Sequence, residues 1–172
     1  MRIAHCSLLV FALISPACTS SHSPADCAPA LDPAAAARVT SSVRDFMTRV
    51  AAGVTANGPS AWRTFFVDTP EFFMAAEGRL VFGSPEAAHS GIEALTHQIK
   101  RIDLRWGTDL RIQPLTPALA VIAVPYYETL YDHAGGKVDA TGYFTGLVER
   151  GPDGWRIRNA HWSPLTAPGT VP

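Results

Sequence analysis

The sequence predicts an α+β domain in which a strongly bent, mostly antiparallel sheet wraps around N-terminal helices. In residues 39–54 apolar side chains recur at three- and four-residue spacing, which is the period of a helix. From residue 104 onwards the period is two, and four strand-like segments follow one another between turns. The chain has 172 residues, of which 47% are hydrophobic and 17% charged, so a single globular domain accounts for it.

Three helices are predicted. Asp32 and Pro33 provide a cap and a first-turn proline for a long amphipathic helix, which ends at residues 57–59 (Asn-Gly-Pro). Ser60 is the predicted cap of a second, shorter helix, and residues 90–93 (Ser-Gly-Ile-Glu) form a capping box that opens a third. The aromatic face of the second helix consists of Trp62, Phe65 and Phe66.

The predicted strands begin with a small hairpin over residues 71–83, because Glu77 and Gly78 suit a tight turn. Residues 119–131 are apolar on both faces in their first half, so this strand should be central in the sheet. Pro125 cannot donate a hydrogen bond to a neighbouring strand, so we expect a bulge or bend there. The remaining strands are residues 104–113, 140–150 and 154–163.

The last strand carries the main candidate for chemistry, His161. If Arg150 pairs with Trp155 across the turn, strict alternation places His161 opposite Phe144 on the concave face. Asn159 then faces the same side, opposite Gly146. The convex face would carry an apolar patch, which a second copy of the chain would cover. This patch consists of Tyr143, Leu147 and Trp162.

Over residues 32–166 the chain resembles the nuclear transport factor 2 (NTF2)-like superfamily, specifically its bacterial SnoaL-like and DUF4440-type members. The resemblance is carried by the long first helix, Gly91-Ile92-Glu93-Ala94-Leu95, Ala120-Val121, Thr145 and the ending from Gly154 to Ser163. It implies a cone-shaped α+β barrel with a mostly apolar pocket between sheet and helices, dimeric through the outer sheet face. The superfamily contains isomerases, cyclases, dehydratases and hydrolases as well as proteins that only bind or assemble, so it does not select a function.

The N-terminal segment indicates export. Residues 1–18 have the charged start and short apolar run of a signal peptide. Cys18 resembles the lipidated cysteine of bacterial lipoproteins, but Ser15 stands where those proteins usually have leucine, so ordinary cleavage is the alternative. The protein would be periplasmic, or anchored to the cell envelope through a lipid on Cys18. Residues 19–30 are the predicted flexible tether, 31–166 the domain and 167–172 a tail.

Several partner classes are not expected. With 14 basic and 15 acidic residues and no basic run, the chain lacks a footprint for nucleic acid. The six histidines are scattered and the three cysteines precede the domain, so we expect no metal site. No glycine-rich phosphate loop follows a strand and opens a helix, so we expect no cofactor.

Three functional hypotheses remain, of which ligand binding requires the least. In the first, a small apolar or amphipathic molecule occupies the pocket, and His161 and Asn159 recognise its polar end. In the second, His161 is a general acid or base, with Glu128 assisting if the break at Pro125 turns it inward. The third is a dimeric assembly module without a ligand, which requires a filled interior. The predicted pocket residues are Trp62, Phe66, Phe73, Phe82, Trp106, Tyr126, Phe144, Ile157, Asn159 and His161.

Overall fold

The computed structural model describes residues 31–165, and the predicted signal peptide with Cys18, the tether and the tail lie outside these residues. The described part contains three helices, one 3-10 turn and seven strands. In chain order they are α1 (Pro33–Asn57), the 3-10 turn (Pro59–Ala61), α2 (Trp62–Phe65), β1 (Phe73–Ala76), β2 (Arg79–Phe82), α3 (Pro85–Gln98), β3 (Ile99–Trp106), β4 (Arg111–Thr116), β5 (Leu119–Asp132), β6 (Lys137–Gly151) and β7 (Gly154–Pro164).

All seven strands form one sheet in the order β2-β1-β7-β6-β5-β3, and β4 also pairs with β5. Every pairing is antiparallel except that of β1 with β7, which is parallel. The sheet is strongly curved and unclosed; α1 and α2 precede it in sequence, and α3 lies between β2 and β3. This confirms the predicted α+β class with a mostly antiparallel, bent sheet.

Helix α1 is positioned by the local signals that predicted it. The Asp32 side chain accepts a 2.9 Å hydrogen bond from the amide of Ala35, and Gly58 ends the helix with φ of 68°. The apolar stripe packs against the sheet, and the Trp106 indole donates a 2.8 Å hydrogen bond to the Met47 carbonyl. The stripe consists of the buried residues Val39, Val43, Phe46, Met47, Val50 and Val54. Within residues 31–165, no helix is both long enough and apolar enough to cross a membrane.

Two predicted helix caps are wrong. Helix α3 begins at Pro85, because the Ser84 side chain accepts a hydrogen bond from the amide of Ala87 and Pro85 fits the first helical position. Ser90 therefore lies inside the helix. Ser60 lies in the 3-10 turn, where its hydroxyl donates to the Asn57 carbonyl at 3.2 Å.

The strands differ from prediction in two places. Residues 104–113 are not one strand, because β3 ends at Trp106 and β4 starts at Arg111. Pro125 causes no register shift, since β5 pairs continuously with β6. On the edge of β5 opposite β6, β4 pairs with residues 119–123 and β3 with residues 126–132, and Pro125 lies between these two segments. The Pro125 carbonyl accepts a 2.7 Å hydrogen bond from the amide of Gly107. A missing N–H is tolerated at such a gap in the ladder.

The bulge lies instead in β7. Val148 pairs with Ile157, but Leu147 pairs with Asn159, so Arg158 is an extra residue on its strand. The Arg158 guanidinium forms a 2.7 Å ion pair with Glu149 of the neighbouring strand β6. Both side chains are partly exposed.

The bulge reverses the faces of everything that follows it. The predicted pairing of Arg150 with Trp155 is confirmed, but Phe144 pairs with Trp162 and not with His161. His161 is exposed on the outer face, whereas Trp162 faces the interior. The predictions that His161 points inward and Trp162 outward are therefore wrong.

Candidate functional site

A cavity of about 390 Å³ lies between α2, α3, the β1–β2 hairpin and the inner face of the sheet. Its volume is within the range of about 300–1,000 Å³ that is typical of small-molecule sites. Glu128 is the only charged side chain in the lining. The lining consists of Trp62, Phe66, Met74, Val81, Phe82, Gly91, Ile92, Leu95, Ile102, Glu128, Leu130 and Trp162.

Trp162 is the centre of an aromatic wall. Its ring centroid lies 4.7 Å from that of Tyr126, 4.8 Å from Phe144, 5.7 Å from Trp62 and 6.0 Å from Trp106. Such pairs contribute about 0.5–1.5 kcal/mol each beyond the burial of apolar area. With four ring neighbours, the Trp162 side chain is held in one orientation, so this wall of the cavity is formed before any ligand binds.

The opposite walls depend on close packing of helix and hairpin. The Trp62 ring stacks on Phe66 with a centroid distance of 5.6 Å. Gly91 of α3 lies against the Phe82 ring of β2, where an added Cβ would overlap Cε1 and lie 2.7 Å from Cζ. Glycine at this position therefore allows the hairpin to approach the helix and sets the width of the cavity.

Glu128 is the one group in the lining that can exchange a proton. It lies on β5 between Leu104 of β3 and Ala140 of β6, and its side chain faces inward with that of Leu130. Among residues 31–165 its carboxyl makes neither a hydrogen bond nor an ion pair. Burial alone raises the pKa of Glu128 to about 7. A carboxyl with such a pKa can act as acid or base near neutrality.

Tyr126 is buried behind Trp162, two residues before Glu128 on the same strand. Burial raises the pKa of the Tyr126 phenol, and the negative charges of Glu128 and Glu77 raise it further. The phenol therefore remains protonated near neutral pH.

The structure divides the predicted pocket residues into three groups. Those that line the cavity are Trp62, Phe66 and Phe82, and the candidate catalytic residue Glu128 lines it with them. Those that pack behind its walls or in the core are Trp106, Tyr126, Phe144 and Ile157. Those on the outer face, in a shallow groove of about 250 Å³, are Phe73, Asn159 and His161.

The two polar residues expected to recognise a ligand are therefore not in the cavity. The bulge at Arg158 turns Asn159 outward, where its amide donates a 3.2 Å hydrogen bond to the Glu71 carbonyl. It also turns His161 into the outer groove beside Thr145. The inward position on which a catalytic role for His161 depended does not exist in this fold.

The sequence also missed several lining residues. The spacing of Ile92, Leu95, Ile99 and Ile102 predicts the apolar stripe of a single helix, which is wrong because α3 ends at Gln98 and Ile102 lies on β3. Such a stripe also indicates a core as readily as a cavity wall. Trp162 could not be found from alternation because the bulge precedes it. The other lining residues not predicted are Met74, Val81, Gly91 and Leu130. Across the described residues, no three His, Cys, Asp or Glu side chains converge in a way that would hold a metal ion.

Neither a protein-family model nor a curated protein sequence matches this chain. Several solved structures, however, are similar to this chain in fold. An NTF2-like superfamily protein of Salmonella enterica serovar Typhimurium superposes with a TM-score of 0.64 and 18% identity, covering 78% of this chain and 96% of that one. The chain has the NTF2-like fold.

Two further structures with this fold carry names that suggest chemistry or assembly. A provisionally named scytalone dehydratase of Novosphingobium aromaticivorans has a TM-score of 0.61 and 11% identity, covering 77% of this chain and 89% of that one. A provisionally named calcium/calmodulin-dependent protein kinase II association domain of Xanthomonas campestris has a TM-score of 0.56 and 21% identity, covering 83% and 95%. At these identities the similarity establishes the NTF2-like fold alone.

Proposed function

We propose that this NTF2-like domain binds a small, mainly apolar molecule in the cavity, with the carboxyl of Glu128 in contact with its polar group. One observation carries the proposal: a cavity of about 390 Å³ is lined by apolar side chains and a single carboxyl that has no partner among residues 31–165. Small-molecule sites typically combine an apolar lining with few polar groups that orient the ligand. The alternative of an assembly module without a ligand required a filled interior and is therefore less well supported.

Binding can be tested with N-phenyl-1-naphthylamine, a neutral apolar dye whose fluorescence increases in apolar surroundings. The wild-type protein should bind one dye per chain. Leu95→Trp should lower the dye affinity about tenfold or more, because the larger ring fills the cavity that Leu95 lines.

The matched control is Leu115→Trp, which adds the same ring on β4 at a position that is 45% exposed and outside the lining. This variant should bind the dye as the wild type does. If wild-type binding is not saturable, or if the two variants bind equally, the cavity is not the binding site.

General acid–base catalysis by Glu128 is a second candidate. It is supported by the pKa of Glu128, which burial raises to about 7, and by the location of Glu128 in a mainly apolar cavity. A protein of Streptomyces avermitilis with this fold is provisionally named a dehydratase, which fits a proton-transfer reaction. In this proposal Glu128 takes the catalytic role that was predicted mainly for His161.

The catalytic proposal is tested by screening carbonyl isomerisations and dehydrations with the wild type, Glu128→Gln and His161→Gln. Any turnover should fall at least about 100-fold in Glu128→Gln and be unchanged in His161→Gln. Its rate should depend on one group that titrates near pH 7. Turnover that survives in Glu128→Gln would assign the chemistry to other residues.

We also propose a homodimer through the outer sheet face and export to the cell envelope. Apolar residues exposed on that face support the dimer, and Leu147 lies beside them in the outer groove. They include Phe73, Val121, Tyr127 and Tyr143.

The export proposal is tested by the mass of the mature protein, which should correspond either to a lipidated Cys18 or to an unmodified N-terminus near it. Cys18→Ala should remove any lipid.

A further inference from the structure

We propose that the cavity is a site for a lipophilic organic cation, in which an apolar body fills the pocket and a single ammonium group lies beside Glu128. This inference depends on the proposed binding function and adds the chemical class of the ligand. It follows from the charges and the ring-bearing side chains that line the cavity.

The charge in the lining is unbalanced. Glu128 is the only ionisable group that lines the cavity, and no Lys, Arg or His does so. An unpaired carboxylate in apolar surroundings is unfavourable. A positively charged occupant is attracted to the carboxylate and also offsets the free-energy cost of burying its charge. An anionic occupant would meet a negative charge and no cationic side chain. An occupant with several polar groups, such as a sugar, would leave most of them without partners.

The walls suit a cation as well. The cavity is lined by four aromatic side chains, and rings attract a nearby ammonium group through their negative faces. Trp62 and Trp162 lie at an interplanar angle of 87°, so they form two differently oriented walls of one corner. The four aromatic side chains are Trp62, Phe66, Phe82 and Trp162.

None of the groups packed around Glu128 within residues 31–165 forms an ion pair with its carboxyl. The opposing strands present the apolar side chains of Leu104 and Ala140. Tyr126 is the titratable neighbour on its own strand, and Glu77 of the hairpin turn acts on the Tyr126 phenol. Helix α3 contributes no charged side chain to the cavity lining.

The other charged residues of these strands face away. Arg105 lies over the Tyr127 ring, 5.6 Å from its centroid, and Asp139 accepts a hydrogen bond from Thr129. Both line a groove on the outer face of the sheet to which Glu128 also contributes, but among residues 31–165 Arg105 forms no ion pair with Glu128. A cation that enters the cavity therefore competes with no positively charged side chain in the cavity lining.

Three probes of similar size separate the possible ligand classes. Benzyltrimethylammonium carries a permanent positive charge, neopentylbenzene is its neutral isostere with carbon in place of nitrogen, and phenylacetate is an anion. Each is used at pH 8 and low salt to displace N-phenyl-1-naphthylamine from the wild type, Glu128→Gln and Asp45→Asn. Asp45 is an exposed residue of α1 outside the cavity, so its variant matches the change in net charge.

In the wild type, benzyltrimethylammonium should displace the dye at a concentration about tenfold or more lower than neopentylbenzene. This preference should disappear in Glu128→Gln and persist in Asp45→Asn. Because burial raises the pKa of Glu128 to about 7, its ionised fraction rises from about 3% at pH 5.5 to about 97% at pH 8.5. The affinity for the ammonium probe should therefore increase up to about 30-fold over this range, while that for neopentylbenzene changes little.

The outcomes distinguish this inference from the proposed function. If neopentylbenzene or phenylacetate displaces the dye as well as the ammonium probe does, or if no probe displaces it, the cation inference is wrong while dye binding still supports the binding function. A preference for the ammonium probe that survives in Glu128→Gln also overturns it. If the dye itself does not bind at one site, both proposals fail.

Discussion

Replacing Glu128 by Gln should stabilise the protein at alkaline pH and have a much smaller effect at acidic pH. The pKa of Glu128 is raised by burial from 4.5 to about 7, so the folded state disfavours the ionised form. Below pH 4.5 the carboxyl is protonated in both the folded and the unfolded state and contributes nothing. As the pH rises from 4.5 to 7, the unfolded chain releases its proton first, and the free energy of unfolding decreases. Above pH 7 this loss is complete.

The size of the effect follows from the change in pKa. A rise from 4.5 to about 7 corresponds to about 3 kcal/mol in the free energy of unfolding. Glu128→Gln removes the ionisation. The free energy of unfolding of Glu128→Gln minus that of the wild type should therefore be about 2–3 kcal/mol larger at pH 8 than at pH 4.5. For a domain of this size, that corresponds to roughly 10 °C in the midpoint of thermal unfolding.

The assay is urea unfolding of the wild type and Glu128→Gln at pH 4.5, 6 and 8, followed by tryptophan fluorescence. Any unfavourable contact of the new amide is the same at each pH, so the pH-dependent part of the difference isolates the ionisation. Asp45→Asn, in the exposed position used above, controls for net charge and should show no such increase. If the difference between wild type and Glu128→Gln is constant within about 0.5 kcal/mol from pH 4.5 to 8, the carboxyl is not desolvated, and the reasoning is refuted.

Three further predictions concern the walls and the outer face. Trp162→Ala should lower the free energy of unfolding by about 3 kcal/mol and abolish dye binding. His161 is exposed, so His161→Ala should change the free energy of unfolding by less than about 0.5 kcal/mol and leave dye binding intact. Urea titration and dye fluorescence measure the two effects. Gly91→Ala should displace the Phe82 ring and weaken dye binding about threefold or more; unchanged affinity would show that the hairpin simply moves away. Tyr143→Glu places a charge on the outer face and should halve the mass measured by light scattering if that face forms the dimer.

Most of the secondary structure could be predicted because its signals are local. Asp32 and Pro33 act within one turn of α1, and Glu77 and Gly78 adopt the positive φ values of 51° and 72° that a tight hairpin requires. Helix α3 shows the limit of such signals. Two serines six residues apart could each cap it, and the proline after Ser84 is what distinguishes the true start.

The register of the sheet could not be predicted in the same way. Pro125 is tolerated without a bulge because the chain changes neighbouring strands beside it, which depends on where β3 and β4 end. No glycine or proline occupies the bulged positions 157–159 of β7. Its extra residue, Arg158, contacts Glu149 on the neighbouring strand, and alternation within one strand cannot show such a contact.

This one extra residue also determines the chemistry of the cavity. With strict alternation, β7 would place an imidazole inside, and the cavity would contain a group that can carry a positive charge. With Arg158 inserted, an indole occupies the inner face, and the imidazole lies on the opposite side of the sheet. Glu128 then has no titratable neighbour of opposite sign in the lining, so burial raises its pKa without compensation. The aromatic wall and the lack of an imidazole in the lining, on which the preference proposed for a cationic ligand rests, therefore share one structural cause, the bulge in β7.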